Sequence, residues 1–76
     1  MNNELEQLPP TAAFVYYVLE RADRPLTKDE IADRTNRPEP SIEKALQKLR
    51  REDLVSGRPK LGDGRTHVYY PEIHSI

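Results

Sequence analysis

Residues 26–70 read LTKDEIADRTNRPEPSIEKALQKLRREDLVSGRPKLGDGRTHVYY, and the order of local signals within them decides the fold. Thr27 and Glu30 have the spacing of a capping box, in which each side chain satisfies the other residue's orphan backbone N–H. Leu26 and Ile31 occupy the two positions of a hydrophobic staple. A helix therefore starts at about Lys28 and runs past Ile31 and Ala32 to Arg34 or Thr35. Asn36-Arg37-Pro38 is turn chemistry, because Asn tolerates left-handed backbone and Pro commonly follows a helix end. A second helix begins near Glu39, where Pro40 is tolerated because first-turn N–H groups have no partner anyway, and runs to about Glu52. Ile42, Ala45, Leu46 and Leu49 form one stripe. At about 100° per residue, Pro40, Lys44, Gln47, Lys48 and Arg51 gather opposite that stripe, and Glu39, Glu43 and Arg50 share a flank.

After Asp53 the helical period stops. Leu54-Val55-Ser56 reads as a first strand, with Gly57 and Pro59 limiting its length or placing it at a sheet edge. Thr66-His67-Val68-Tyr69-Tyr70 is rich in strand formers and alternates, and Pro71 closes it. Gly62-Asp63-Gly64 reads as the tight turn between the two strands. Short helix, turn, long basic helix and hairpin is the plan of a winged helix-turn-helix. The expected class is α+β, mostly α, with three helices and a two- or three-stranded β-wing.

The remaining helix lies upstream. Pro9-Pro10 stops any helix running through, and Pro10 suits a first turn. From Thr11 to Ala22 the pattern is helical, with Thr11, Val15, Val18, Leu19 and Ala22 on one face, Ala13 and Tyr17 pointing away and Phe14 on a flank. Asp23-Arg24-Pro25 ends it. The expected organisation is an N-terminal tail over 1–9, one domain over 10–71 and a C-terminal tail over 72–76.

Composition narrows the function classes. Seventy-six residues make one small domain, at a size where folding buries only about 60% of the unfolded surface. There is no cysteine, so neither a disulfide nor a thiolate metal site is available. His67 and His74, the two histidines, have no metal-ligand spacing and no helical carboxylate partner, and no glycine-rich phosphate loop is present. An enzyme, a metal and a cofactor are therefore not expected. No apolar run nears the roughly 18 residues of a membrane span, and the acidic, polar start is no signal peptide, so the expectation is a soluble, cytoplasmic chain without a membrane partner.

The net charge of −1 argues against indiscriminate polyanion binding, but the charges are sorted. Residues 1–34 hold four basic and seven acidic groups, and residues 35–67 hold eight basic and five acidic. A basic half on a near-neutral chain is the electrostatic footprint of a nucleic-acid face. In a helix-turn-helix the second helix enters the major groove. Here that helix offers Ser41, Lys44, Gln47, Lys48 and Arg51, where Gln suits adenine and Lys or Arg suits guanine. Ser41 and Arg37 near its start, and Lys28 at the start of the preceding helix, are expected at backbone phosphates, and Arg51, farther along, is expected to reach only phosphate. Arg58, Lys60 and Arg65 surround the hairpin tip, where an arginine can enter a narrow minor groove, and Asp63 is expected to hold Arg65 by an ion pair.

On these residues the stretch from Leu26 to Tyr70 resembles the winged domain of MarR-like transcriptional regulators, in a short, stand-alone version similar to small archaeal regulators. The matching features are Leu26-Thr27-Lys28-Asp29-Glu30-Ile31-Ala32, the helix ending Ala45-Leu46-Gln47-Lys48-Leu49, the exit Asp53-Leu54-Val55, and the wing Asp63-Gly64-Arg65. The resemblance implies sequence-specific binding of double-stranded DNA, with Arg65 entering the minor groove and Asp63 orienting it. It also marks a departure. Such proteins usually dimerise through long flanking helices, with ligands bound beside them, and here nine residues precede the first helix and six follow Tyr70. No small-molecule ligand is expected, and a homodimer would need another surface: Leu5, Leu8, Ala13, Phe14 and Tyr17 around the first helix. The competing reading has Leu5 and Leu8 covering Tyr17 within one chain. The rival in function is a protein–protein interaction module of a larger assembly, since fold alone does not fix function and Glu39 and Glu43 sit on the helix expected to read DNA.

Overall fold

The computed structural model describes residues 8–72. The first helix, α1, spans Pro10–Arg21 and begins as the sequence suggests, with Pro10 in the first turn where its missing N–H costs nothing. Its buried face is rotated from the expected one, keeping only Val15 and Leu19 of the expected stripe fully buried. Ala12, Val15 and Leu19 are buried and Leu8 continues the same spacing upstream, while Thr11, Val18 and Ala22 are half-buried. The stripe is set by what packs on it, and adding Leu8 rotates its centre toward Ala12.

Leu26–Thr27 form β1, a two-residue strand, and the second helix, α2, spans Lys28–Thr35. The capping box is complete: Glu30 N–H donates to Thr27 Oγ1 at 3.2 Å, and Thr27 N–H donates to Glu30 Oε1 at 2.8 Å. Such a cap contributes about 1 kcal/mol. The helix closes through Asn36, left-handed at φ 55°, and Arg37 N–H donates back to the Ala32 carbonyl at 3.3 Å. Thr35 is the one buried polar residue among those described, and its hydroxyl is satisfied by the Ile31 carbonyl at 2.9 Å.

The third helix, α3, spans Glu39–Arg51 and buries the expected stripe of Ile42, Ala45, Leu46 and Leu49. It ends in a Schellman closure built on Asp53, at φ 60°, rather than glycine. Leu54 N–H donates to the Leu49 carbonyl at 2.9 Å and Asp53 N–H to the Arg50 carbonyl at 3.1 Å. Both leucines are buried, so the motif carries its usual hydrophobic contact and turns the chain into the sheet.

The hairpin consists of β2, Val55–Lys60, and β3, Asp63–Pro71, and the antiparallel sheet has the order β1-β3-β2. Of the two effects open to Gly57 and Pro59, the structure has the edge placement: β2 runs past Ser56 to Lys60, which Pro59 permits because β2 is an edge strand. The turn expectation is corrected. The tight turn is Leu61-Gly62, with Gly62 at φ 84°, while Asp63 and Gly64 belong to β3. The register then jumps, with Pro59 opposite His67 and Lys60 opposite Asp63, so residues 64–66 form a bulge on β3. The core joins Leu8, α1, Leu26, Ile31 and the α3 stripe to Leu54 and Val55, with Tyr69 packed against it. Gly57 lies across from Tyr69, where a Cβ would stand 2.9 Å from the ring, so only glycine lets the ring lie over β2.

Candidate nucleic-acid interface

The exposed side of α3 presents Pro40, Lys44, Gln47 and Arg51, as the helical period requires once the opposite stripe is buried. The flanks turn elsewhere. Ser41, Lys44 and Lys48 border a groove against Pro9, Thr11 and Ala12 at the start of α1, and Lys48 Nζ is paired with Glu52 Oε2 at 3.0 Å. On the other flank Glu43, Gln47 and Arg50 border a groove shared with Lys28 and Tyr69. Next to it a second groove runs between Lys28, Asp29 and Glu39 on one side and Arg65, Thr66, His67 and Tyr69 on the other. The start of α2, one flank of α3 and the root of the wing thus form a single cleft floored by Tyr69.

The charges in this cleft are mixed. Lys28 Nζ donates to Glu43 Oε2 at 2.7 Å, tying the start of α2 to the first half of α3. That hydrogen bond, reinforced by the charge of Glu43, holds the Lys28 ammonium above its ordinary pKa of 10.5. Nearby, the hydrogen bond between Glu39 and Asp29, and then the repulsion of the two charges, raise the Glu39 carboxyl above 4.5. Lys28 and Glu43 neutralise each other, and Arg50 and Arg65 stand against Asp29 and Glu39, so the cleft is near neutral and its positive groups without an ion-pair partner among the described residues lie at its two ends.

At the wing, Asp63 does not pair with the Arg65 guanidinium as expected. Its Oδ1 accepts the Arg65 backbone N–H at 3.2 Å, and its Oδ2 accepts the Thr66 hydroxyl at 2.9 Å. The carboxylate fixes the bulged backbone and leaves the arginine side chain exposed, with no hydrogen-bond or ion-pair partner among the described residues. Spacing alone could not separate these outcomes, because a residue two positions away offers both a backbone N–H and a side chain.

The remaining cations of the hairpin lie on the other face. Arg58 is opposite Val68 in the register, and side chains of successive residues alternate, so it faces away from Tyr69. Its guanidinium lies 5.6 Å from the Tyr70 ring, and with Lys60 it borders a groove against Arg24 and Pro25. The fold therefore brings together Lys28, Gln47, Asp63 and Arg65, and leaves Arg58 and Lys60 behind the wing. Arg37 also turns from the cleft, its guanidinium 5.8 Å from the Phe14 ring. Tyr69 and Thr66 are cleft residues absent from the expected set. The alternation of residues 66–70 put Tyr69 on a defined sheet face, but nothing in it said that α2 and α3 would meet that face.

Around α1, Leu8 is taken into the core, Ala13 packs half-buried against it, and Phe14 and Tyr17 stay 37% and 51% exposed. The Arg21 guanidinium covers the Tyr17 ring at 4.9 Å. Leu5, the rest of the tail over 1–7 and His74 lie outside the described residues. No group of three or more His, Asp or Glu placed to hold a metal occurs among the described residues, and no helix there is long and apolar enough to cross a membrane.

A family model described as "Sugar-specific transcriptional regulator TrmB" matches residues 10–72. No curated protein sequence matches the chain. Among solved structures, the adhesin competence repressor AdcR from Streptococcus pyogenes is 21% identical with a TM-score of 0.78, the alignment covering 87% of this chain and 47% of that one. A cysteine-to-serine mutant of ZitR from Lactococcus lactis gives 23% and 0.79, covering 87% and 44%. The PcaV transcriptional regulator from Streptomyces coelicolor, solved with its natural ligand, gives 21% and 0.76, covering 88% and 46%. These likenesses show the winged fold, and the chain spans about half the length of the structures it matches.

Proposed function

Because the chain belongs to the TrmB family of winged-helix transcriptional regulators, which are not enzymes, we infer that residues 10–71 are a sequence-specific double-stranded DNA-binding domain. In this reading α3 lies in the major groove, with Lys44, Gln47 and Arg51 toward the duplex and Ser41 and Lys48 toward one bordering backbone. Lys28 meets phosphate at the start of α2, and Arg65, on a backbone fixed by Asp63, enters the adjacent minor groove. Arg37, Arg58 and Lys60 add long-range attraction or contact a bent duplex. The carrying observation is the exposed Arg65 guanidinium, without a partner among the described residues, on an anchored bulge beside the cleft that ends at Gln47. The setting is the cytoplasm, and the domain is of the MarR-like type whose wing signature Asp63-Gly64-Arg65 resembles, similar to small archaeal regulators.

Titrating the purified chain against random duplex DNA at several salt concentrations tests this. The logarithm of the affinity is expected to fall linearly with the logarithm of salt, by about 0.9 per phosphate contacted. Absence of binding at low salt sinks the reading. It would favour the second one, a protein–protein module, which the carboxylates Asp29, Glu39 and Glu43 in the cleft support. The domain itself needs no small-molecule ligand here, so duplex affinity is expected to be the same with and without added sugars. Two copies pair through the exposed face of α1 around Phe14 and Tyr17, beside the half-buried Ala13; Phe14→Glu is then expected to lower the mass in solution to that of a monomer.

A further inference from the structure

We infer that Glu43 is a base-reading residue that selects cytosine, held in position for that task by Lys28. The inference rests on the reading that α3 enters the major groove, and it names what one position of that helix recognises.

A carboxylate on a DNA-facing helix repels phosphate unless its charge is compensated and its oxygens are met by donors. Both conditions can be satisfied at Glu43. Lys28 Nζ lies 2.7 Å from Oε2, which compensates the charge and leaves Oε1 available to a donor, and the Glu43 side chain is 52% exposed. Early residues of a recognition helix are the ones that reach base edges. Glu43 is one turn closer to the start of α3 than Gln47 and borders the same groove.

Stability does not account for the pair. A surface ion pair adds little to folding, and α2 and α3 are already joined through Ile31, Ile42 and Leu46 in the core. What the pair does achieve is to hold a flexible side chain in one geometry before DNA arrives. Lys28 remains 34% exposed, so its other N–H donors stay open to a backbone phosphate while one holds Glu43.

The major-groove edges decide which base such a carboxylate selects. Guanine presents acceptors only, thymine an acceptor and a methyl group, and adenine an amino donor beside the N7 acceptor. Cytosine presents its N4 amino donor without an adjacent acceptor, so an acceptor-only group is favoured there and opposed elsewhere.

Selection from random duplexes, with thermal melts to verify folding, tests the assignment. The wild-type chain is expected to enrich cytosine at one position per half-site. Glu43→Gln, which keeps the shape and removes the charge, is expected to lower that preference by about tenfold or more while leaving the other positions unchanged. Lys28→Met is expected to weaken binding to all sequences and to relax the same position. An unaltered cytosine preference in Glu43→Gln, with at most a uniform gain in affinity from lost repulsion, overturns the assignment while DNA binding itself stands. A wild-type chain that binds no duplex overturns the assignment together with the reading beneath it.

Discussion

Arg65 and Asp63 divide one task at the wing. The aspartate commits both oxygens to the bulged backbone and the Thr66 hydroxyl, and the arginine is thereby presented to solvent from a fixed origin. Arg65→Ala is expected to weaken duplex binding strongly with an unchanged melting temperature. Asp63→Ala should weaken it less, through a looser bulge, and equal losses in both variants would refute this division. Gln47→Ala is expected to change preference at one base pair by about 1–3 kcal/mol, whereas a uniform loss across sequences would place it on the backbone. Ile42 is fully buried, so Ile42→Ala should cost about 2–5 kcal/mol in denaturant unfolding. Burial at this scale was legible, because Ile42 lies on a clear helical stripe. The partner of Asp63 was not, because the choice between the Arg65 backbone and its guanidinium depends on the bulge that no sequence pattern announced.

At the scale of the element, α2 carries two carboxylate interactions of opposite pH dependence. Hydrogen bonding from the Thr27 backbone, aided by the charge of Arg24, holds Glu30 below its ordinary pKa of 4.5. Its contribution is therefore present above 4.5 and lost as pH falls through the lowered folded value. Glu39 is raised above 4.5 by Asp29, so that hydrogen bond helps below 4.5 and is lost as pH rises through the raised value. In melts from neutral to acid pH, Glu30→Gln should be destabilised at neutral pH with the difference from wild type closing in acid. Glu39→Gln should show the reverse trend, and parallel curves for either variant would refute the linkage. The sheet has its own constraint at Gly57: Gly57→Ala forces the Tyr69 ring to move, at about 1–3 kcal/mol, and opens the floor of the cleft. Start and stop signals made the helices readable because caps act within four residues. The extent of β2 was less so, since a strand ends where its partner ends, and β3 pairs with it as far as Lys60.

For the whole molecule, the distribution of charge matters more than its sum. Eight basic groups follow residue 34, yet the fold sends them to three places: the exposed side of α3 and the cleft, the back of the wing, and the α1 face where Arg37 meets Phe14. The salt dependence of duplex binding should accordingly be shallower than eight phosphate contacts would give, and a slope of about −7 would mean that the back of the wing also touches DNA. If the chain pairs through α1, the selected site should be palindromic with half-sites about 34 Å apart, one helical turn. By itself the sequence determined the order of elements, their boundaries to within a residue or two in the helices, the buried face of α3 and the class of partner to test, because caps, turns and periodic burial are local and additive. Only the tertiary structure decided which cations share a surface, that Tyr69 floors the cleft, that Leu8 belongs to the core, and that Lys28 is engaged by Glu43. Those outcomes depend on how α2, α3 and the wing are packed against one another, and residues fifteen positions apart carry no local signal that they will meet.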